Sequence, residues 1–343
     1  MKKHDLQVGV WLLTGCAMIF TMVVIGGITR LTGSGLSIVE WNVIMGTIPP
    51  LNEQQWQETF EKYQQFPEYQ EHYKNRMDLA AFKQIFWWEY FHRLWGRLMG
   101  IVFLIPFIVF LLQKKLTRRQ IKQYLLIFLL GGAQGFLGWF MVKSGLVDIP
   151  RVSHYRLTAH LYLAFLLYSI TFWFALDRLL PQTVHTPHPE RDTPSLRYFS
   201  WGIVLLTVIQ IGFGGFTAGL KAGYLFGTFP KMGGEWVASG IWMMSPAWLN
   251  VLENPIMVQF IHRWLGIIVF ATILALWIVT FSRKLRSIQK MGIHILLGVS
   301  ILQVLMGIFT IVWRMPVALA VAHQAGALLL LTASLFVSYQ FKR

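Results

Sequence analysis

Charged residues are scarce in this sequence. Asp, Glu, Lys and Arg make up 13% of its 343 residues, whereas hydrophobic residues make up 55%. Soluble globular domains carry about a quarter charged residues, so this composition excludes a soluble protein. Cysteine is scarcer still, because Cys16 is the only one in the chain. A single cysteine excludes a disulfide within the chain and favours a small buried side chain.

The few charges are unevenly divided between the two signs. The sequence has 15 acidic and 30 basic residues, which gives a net charge of +15. The basic residues cluster in short connections between apolar runs and at the C terminus: Lys114, Lys115, Arg118, Arg119, Lys122, Arg283, Lys284, Arg286, Lys290, Lys342 and Arg343. Such loops mark the cytoplasmic side of a membrane protein. The excess therefore predicts cytoplasmic termini and argues against a nucleic-acid partner.

Long apolar runs fill most of the remaining chain. Runs of about 20 residues with few charges are typical of transmembrane helices, which satisfy their own backbone hydrogen bonds in lipid. Eight spans are predicted: 8–28, 82–112, 124–142, 157–176, 199–220, 255–282, 291–313 and 316–340. The predicted fold class is an all-α integral membrane protein.

Four histidines lie inside these apolar runs: His92, His160, His262 and His323. An ionisable side chain within a membrane span is costly and is usually functional. His92 and His262 both begin the string H-R-x-x-G. With both termini in the cytoplasm, the topology places all four histidines near the outer face.

Motifs around these histidines recur in the two halves of the chain. The matched pairs are Gly26-Gly27 with Gly214-Gly215, His92 with His262, Gln134-x3-Gly138 with Gln303-x3-Gly307, and His160 with His323. Four spans per half give both halves the same orientation, so the repeat is parallel rather than inverted. We predict two pseudo-symmetric four-helix bundles, 1–176 and 199–343, joined by a proline-containing cytoplasmic linker at 177–198.

Paired histidines on neighbouring helices suit a haem iron, which takes two axial ligands on opposite faces of its ring. A single intramembrane histidine more often bonds a neighbouring carbonyl, but four at matched positions favour metal ligation. We therefore predict two haem sites, one at His92 and His160 and the other at His262 and His323.

Arg93 and Arg263 directly follow the first histidine of each predicted pair. Arginine forms bidentate pairs with carboxylates, and haem carries two propionates. The alternative is that both side chains extend to the membrane interface. The sequence leaves both interpretations open.

Glu89 is the clearest difference between the halves. It precedes His92 by three residues, so the two share a helix face, and the corresponding residue of the second half is Gln259. A carboxylate beside one histidine pair alone predicts chemistry at the first site and a fixed cofactor at the second. The alternative is an interfacial carboxylate paired with Arg93 or Arg97.

The largest stretch between predicted spans is 30–81. Within it, Trp56, Phe60 and Tyr63 recur at helical spacing. They predict a helix within 53–73 that caps the outer side of the protein.

The motifs together resemble the haem A synthase family over nearly the whole chain. They are Gly26-Gly27-x-Thr29-Arg30-Leu31-Thr32-x-Ser34-Gly35-Leu36-Ser37, Trp41, Pro49-Pro50, Glu89-x-x-His92-Arg93, Tyr155-Arg156-Leu157-x-x-His160, His262-Arg263 and His323-Gln324. The lone Cys16 departs from members that carry paired cysteines in an outer loop. The chain is thus similar to the cysteine-poor branch of proteobacteria and mitochondria, and electron transfer through such a disulfide is not expected.

The resemblance implies an oxidoreductase of the bacterial inner membrane that converts the methyl group of haem O into the formyl group of haem A through a hydroxymethyl stage. It implies haem b as cofactor between His262 and His323, in the half 199–343. It also implies substrate haem O near His92 and His160, in the half 1–176, with Glu89 close to the reacting methyl. The product would supply terminal cytochrome oxidases.

Two other classes of function remain open from the residues themselves. A di-haem b-type electron-transfer protein of the membrane also needs four histidines, although it has no evident need for Glu89 in one half alone. A transporter of haem or another apolar solute is compatible with the parallel repeat. Besides haem O and membrane lipid, the candidate partners are a haem O synthase, an electron acceptor and a second copy of the chain.

Overall fold

A computed structural model describes residues 3–39, 47–145, 152–180 and 194–342. Within these ranges the protein is helical and contains no β-strand. The helices are α1 (Lys3–Leu31), α2 (Glu53–Gln64), α3 (Leu79–Leu112), α4 (Arg118–Gly145), α5 (His154–Leu179), α6 (Pro194–Gly219), α7 (Leu249–Glu253), α8 (Pro255–Phe281), α9 (Ser287–Val312) and α10 (Val317–Gln340). Trp41 and most of the predicted linker, including Pro181, Pro187 and Pro189, lie outside the described residues.

Eight of these helices are long and apolar enough to cross a membrane. They are α1, α3, α4, α5, α6, α8, α9 and α10, and each contains most or all of one predicted span. The prediction of an all-α protein with eight transmembrane helices is therefore confirmed. Short helices and irregular segments make up the described connections.

Two of the histidine-bearing helices begin at a capping side chain. Asp78 accepts a hydrogen bond from the Ala81 amide at 2.8 Å and starts α3. Asn254 accepts one from the Ile256 amide at 2.9 Å and starts α8, whose first residue is proline. Both caps satisfy amides that have no partner within the helix. Because of its cap, α3 begins 13 residues before His92 and extends beyond the predicted span.

The predicted helix in the 30–81 connection is confirmed as α2. Its apolar face buries Trp56, Phe60 and Tyr63. The ring of Trp56 packs edge-on against Phe86 of α3, and that of Tyr63 stacks on Phe82 at 5.2 Å. A single π-helical turn, Tyr69–Tyr73, follows and completes this aromatic cluster. The first turns of α3 are thus covered by protein.

The chain divides into two compact units. The N-terminal unit is Thr14–Leu167, and the C-terminal unit combines Met1–Leu13 with Tyr168–Arg343. The beginning of α1 and the end of α5 therefore belong to the C-terminal unit, where Asp5 pairs with Arg178. The proposed division into halves at 177–198, and their pseudo-symmetry, stay predictions.

Four helices of the C-terminal unit pack as a ring. Helix α6 contacts α8 and α10, and α9 contacts the same two helices. The core between them is aliphatic, with residues contributed by all four helices: Ile203, Ile273, Leu276, Ile293, Leu296, Leu330 and Val337. This packing sets the relative positions of the side chains on α8 and α10.

Candidate haem sites

His262 of α8 and His323 of α10 face each other within the C-terminal unit. Their ring centroids are 6.3 Å apart, and the ring planes are nearly perpendicular at 88°. Two imidazoles that bind one metal from opposite sides, with bonds of about 2 Å, have ring centroids about 6 to 6.5 Å apart. The observed spacing therefore fits two axial ligands of a single iron.

His92 of α3 and His160 of α5 form the corresponding pair of the N-terminal unit. Their imidazoles lie close enough for their charges to interact. All four histidines are half-buried, so each ring is held by protein and still presents part of its surface. The structure thus brings together each pair that the sequence predicted.

A glycine of a neighbouring helix lies against each imidazole. A Cβ placed on Gly138 or Gly307 would lie 3.0 or 2.9 Å from Cε1 of His160 or His323. At Gly214 it would lie 3.2 Å from Cε1 of His262, and at Gly26 3.2 Å from Nε2 of His92. These distances are too short for a relaxed carbon contact, which is about 3.5 to 4 Å. The glycines of the internal repeat therefore make room for the histidine rings.

Three of the histidines are also held by a glutamine located four residues before that glycine. Gln210 Nε2 donates to the His262 carbonyl at 2.9 Å, and Gln303 Nε2 donates to the His323 carbonyl at 2.9 Å. Gln134 Nε2 donates to the His160 carbonyl at 3.1 Å and lies 3.2 Å from Nε2 of its ring. The glutamine fixes the backbone at the histidine, and the glycine accommodates the ring.

Glu89 is buried beside His92, with 3% of its surface exposed. Its Oε2 accepts hydrogen bonds from the Ser37 hydroxyl and the Ile38 amide, both at 2.8 Å. Its Oε1 accepts from Nε and Nη2 of Arg93, which form an ion pair with it. Four donors thus surround one carboxylate. The ion pair with Arg93 that the sequence offered as an alternative is present, but it is buried.

The matching place in the C-terminal unit has no carboxylate. Gln259 is 2% exposed, and its amide lies 3.3 Å from the Phe226 carbonyl. Arg263 donates to the Phe226 carbonyl at 2.7 Å, as Arg93 donates to the Ile38 carbonyl at 2.7 Å. Arg263 differs in one respect, because its Nε is buried without a hydrogen-bond partner among the described residues. This cation retains a donor for an anionic group.

The donor set fits haem better than a bare metal ion. Within the described part of the chain, no three His, Cys, Asp or Glu side chains gather as metal ligands. A haem iron needs only two ligands from the protein, since the porphyrin supplies four nitrogens. Nδ1 of His160, His262 and His323 is buried with no hydrogen-bond partner in the described ranges. A buried polar atom without a partner is costly, and polar contacts made by a bound group would relieve that cost.

Sequence patterns predicted part of this geometry and missed part of it. The repeat identified Gly26, Gly138, Gly214 and Gly307, all of which contact histidines. Gln210-x3-Gly214 was overlooked, although it has the same spacing as the two glutamine motifs that were matched. The contacts of Ser37 and Ile38 with Glu89 were also missed, because they depend on how the loop after α1 folds back on α3.

Comparison with known proteins identifies the family to which this chain is similar. The family model for cytochrome oxidase assembly proteins (COX15-CtaA) matches residues 9–335. The chain is 45% identical over 336 residues to the protein named haem A synthase in Nitrosospira multiformis, covering 98% of this chain and 94% of that protein. It is 40% identical over 349 residues to haem A synthase of Flavobacterium johnsoniae, covering both chains in full. It is 41% identical to haem A synthase COX15 of Bos taurus over 348 residues, 100% of this chain and 84% of that one.

Proposed function

Because this chain belongs to the cytochrome oxidase assembly protein family, whose members include the haem A synthases, we propose that it oxidises the methyl group of haem O to the formyl group of haem A. The oxidation proceeds in successive steps through a hydroxymethyl stage, in which the carbon gains an oxygen atom and the electrons removed from it pass to an external electron acceptor. The observation that carries the proposal is the buried Glu89 beside one histidine pair, with a neutral Gln259 at the equivalent place beside the other. One site is equipped for chemistry and the other for holding a cofactor.

We propose that His262 and His323 hold haem b in the C-terminal unit. Haem b supplies a one-electron redox centre when it is bound. The ring spacing of 6.3 Å supports this assignment. The unpartnered Nε of Arg263 supports a contact between its guanidinium and a haem propionate, with the other donors of the same guanidinium fixed by the carbonyls of Phe226 and Thr228.

His92 and His160 bind the iron of the substrate, haem O, under this proposal. Arg93 is the corresponding candidate for a propionate, but Nε and Nη2 of its guanidinium bind Glu89. Its positive charge is therefore balanced by Glu89, whereas no acidic side chain among the described residues forms an ion pair with Arg263. We expect the propionate contact to contribute less at the substrate site than at the cofactor site.

Glu89 acts next to the reacting methyl group. Removing electrons from that carbon develops positive charge, and a carboxylate fixed in a low-dielectric site stabilises such charge. The four donors around Glu89 hold its carboxylate in one orientation, which suits this electrostatic role. To act as a base towards water, Glu89 would first have to release one of these hydrogen bonds. We therefore favour charge stabilisation over proton abstraction.

The protein is an integral membrane protein, and we propose that it lies in the bacterial inner membrane with both termini in the cytoplasm. Basic residues at 114–122 and 283–290 support this topology. A reporter fused after Arg119 should be active only if it works in the cytoplasm. Activity of a periplasmic reporter at that position would contradict the proposed orientation.

The function is tested by extracting haem from cells that express the protein together with a source of haem O. Chromatography and mass analysis should show hydroxymethyl and formyl haems that are absent without this protein. An electron-transfer cytochrome would leave all haem unmodified. Finding only haem b and unmodified haem O in cells that contain the folded protein would therefore contradict the proposal.

A further inference from the structure

The helix opposite each histidine carries the same pair of residues in three of the four cases. A glutamine bonds the histidine carbonyl, and the glycine four residues later lies against the ring. The three cases are Gln134 and Gly138 of α4 for His160, Gln210 and Gly214 of α6 for His262, and Gln303 and Gly307 of α9 for His323. We call this hydrogen bond the glutamine clamp.

The fourth case lacks the clamp. On α1, Gly26 lies against the ring of His92, but the residue four positions before it is Met22. Met22 occupies the place of Gln210: a Cβ on Gly96 would lie 3.3 Å from Cε of Met22, and one on Gly266 would lie 3.1 Å from Nε2 of Gln210.

Those two glycines are equivalent, because each follows its histidine, His92 or His262, by four residues. A thioether has no N–H to donate. Among the described residues, no side-chain amide bonds the carbonyl of His92.

The clamp affects how firmly a histidine is held. A hydrogen bond from a neighbouring helix ties the backbone of the histidine to that helix, and hydrogen bonds between transmembrane helices stabilise their association. Support of this kind around a metal ligand raises metal affinity. Among the described residues of α1, Gly26 packs against the ring of His92 and Met22 lies near Gly96 of the next turn, and methionine is flexible and adapts to different neighbours. The position of His92 relative to α1 is therefore less constrained.

The missing clamp at His92 matches the difference between a substrate, which must exchange, and a resident cofactor, which must not. Building on the proposed function, haem O must enter and formyl haem must leave in each catalytic cycle, whereas haem b stays. We propose that His92 is the ligand that moves to admit and release the substrate iron and that His160, held by its clamp, keeps its position throughout this exchange. The glutamines are positioning residues, and Met22 keeps the His92 side of the substrate site releasable.

The test transfers the clamp to the substrate site with Met22→Gln. The protein is purified from cells that make haem O, and release of its substrate-derived haem to excess apomyoglobin is followed. Each tenfold change in rate corresponds to 1.4 kcal/mol, so one added buried hydrogen bond should slow release about three- to tenfold. Thr21→Gln is the matched control, because it places the same side chain on the preceding residue of α1, where the Thr21 hydroxyl donates to the Ala17 carbonyl. Its release rate should equal that of the unaltered protein.

The reciprocal variant, Gln210→Met, removes a clamp from the cofactor site and should speed the loss of haem b about three- to tenfold. It keeps the inference testable if Met22→Gln fails to fold. Unchanged release in a folded Met22→Gln protein, or unchanged haem b loss in Gln210→Met, would overturn the inference. If the unaltered protein makes no haem A, it is the proposed function that fails, and the chromatogram distinguishes that outcome from unchanged release rates.

Discussion

At the scale of single residues, the histidines are fixed by groups that leave part of each ring accessible. Gly214 and Gly307 receive the rings of His262 and His323, and glutamine amides hold the carbonyls of the same two residues. The protein thus fixes the orientation of these two imidazoles without a bound iron, which lowers the free-energy cost of binding one. The same reasoning makes the two ligands and the two glycines separately testable.

The two ligands should be individually necessary for haem b. We expect His262→Ala and His323→Ala each to abolish the low-spin haem b spectrum or convert it to a five-coordinate one, since a six-coordinate iron needs both imidazoles. Optical spectroscopy and haem content of the purified variants measure this. If both variants retain the original spectrum and haem content, these histidines are not the ligands.

The contact between Gly307 and His323 should tolerate no added methyl group. In Gly307→Ala the new Cβ would lie 2.9 Å from Cε1 of His323, and overpacking of this size costs about 1–3 kcal/mol. Haem b affinity should fall about five- to 150-fold. Gly298→Ala on the same helix is the control, because its Cβ would meet no atom within 4 Å. Equal haem b affinity in the two variants would contradict this account of the glycine.

Sequence patterns predict the roles of residues that interact with near neighbours in the sequence. His92 and Glu89 lie three residues apart on one helix, so their common face follows from helix geometry. Two of the four donors around Glu89 do not follow in this way, because Ser37 and Ile38 come from a loop more than 50 residues earlier. The other two donors belong to Arg93, which lies four residues after Glu89 on α3, so this ion pair is local. Tertiary contacts decided only the roles of Ser37 and Ile38.

At the scale of elements, α2 and the π-helical turn after it form an aromatic cover over the first turns of α3. The eight long spans and α2 were predictable because apolar length and helical spacing determine them. The first residues of the helices were less predictable from the sequence. Helix α3, for example, begins at the Asp78 cap and is covered by Trp56 and Tyr63. A carboxylate, Glu68, is buried within this cover.

The aromatic cover should become less stable as the pH rises. Burial raises the pKa of Glu68; the hydrogen bond from Tyr63 partly offsets this rise, the charge of Glu89 adds to it, and the net result is a change from 4.5 to about 7. Because the folded pKa exceeds the unfolded one, the neutral form favours folding. The free energy of unfolding of the aromatic cover is then greatest below pH 4.5. It falls by about 3 kcal/mol in all as the pH rises to about 7. Hydrogen-exchange protection of residues 53–73, corrected for intrinsic rates, measures this fall.

Glu68→Gln provides the control for that experiment. Gln cannot ionise, so the protection of residues 53–73 should no longer depend on pH between 4.5 and 7. At pH 8 the variant should be at least as protected as the unaltered protein. A pH dependence that persists in Glu68→Gln would assign the effect to another titratable group.

At the scale of the whole molecule, one pattern of site residues occurs in both units, and the two sets differ at a few positions. The shared features are the histidine pair, the glycines and the arginine that bonds a loop carbonyl. The differences are Glu89 against Gln259 and Met22 against Gln210. Shared features predict that both copies hold haem, and the two differences predict that only the first copy transforms and releases it.

The division of labour between the two copies is the central claim, and Glu89→Gln tests it most directly. This variant gives the first copy the residue that the second copy already has, so the helices and haem b binding should be retained. Loss of a fixed charge that stabilises a transition state costs about 100-fold or more in rate. Haem extraction should therefore show haem b at its usual level, no haem A, and accumulated haem O or its hydroxymethyl product. Normal haem A output from a well-expressed Glu89→Gln protein would contradict the claim and leave Glu89 as the structural partner of Arg93.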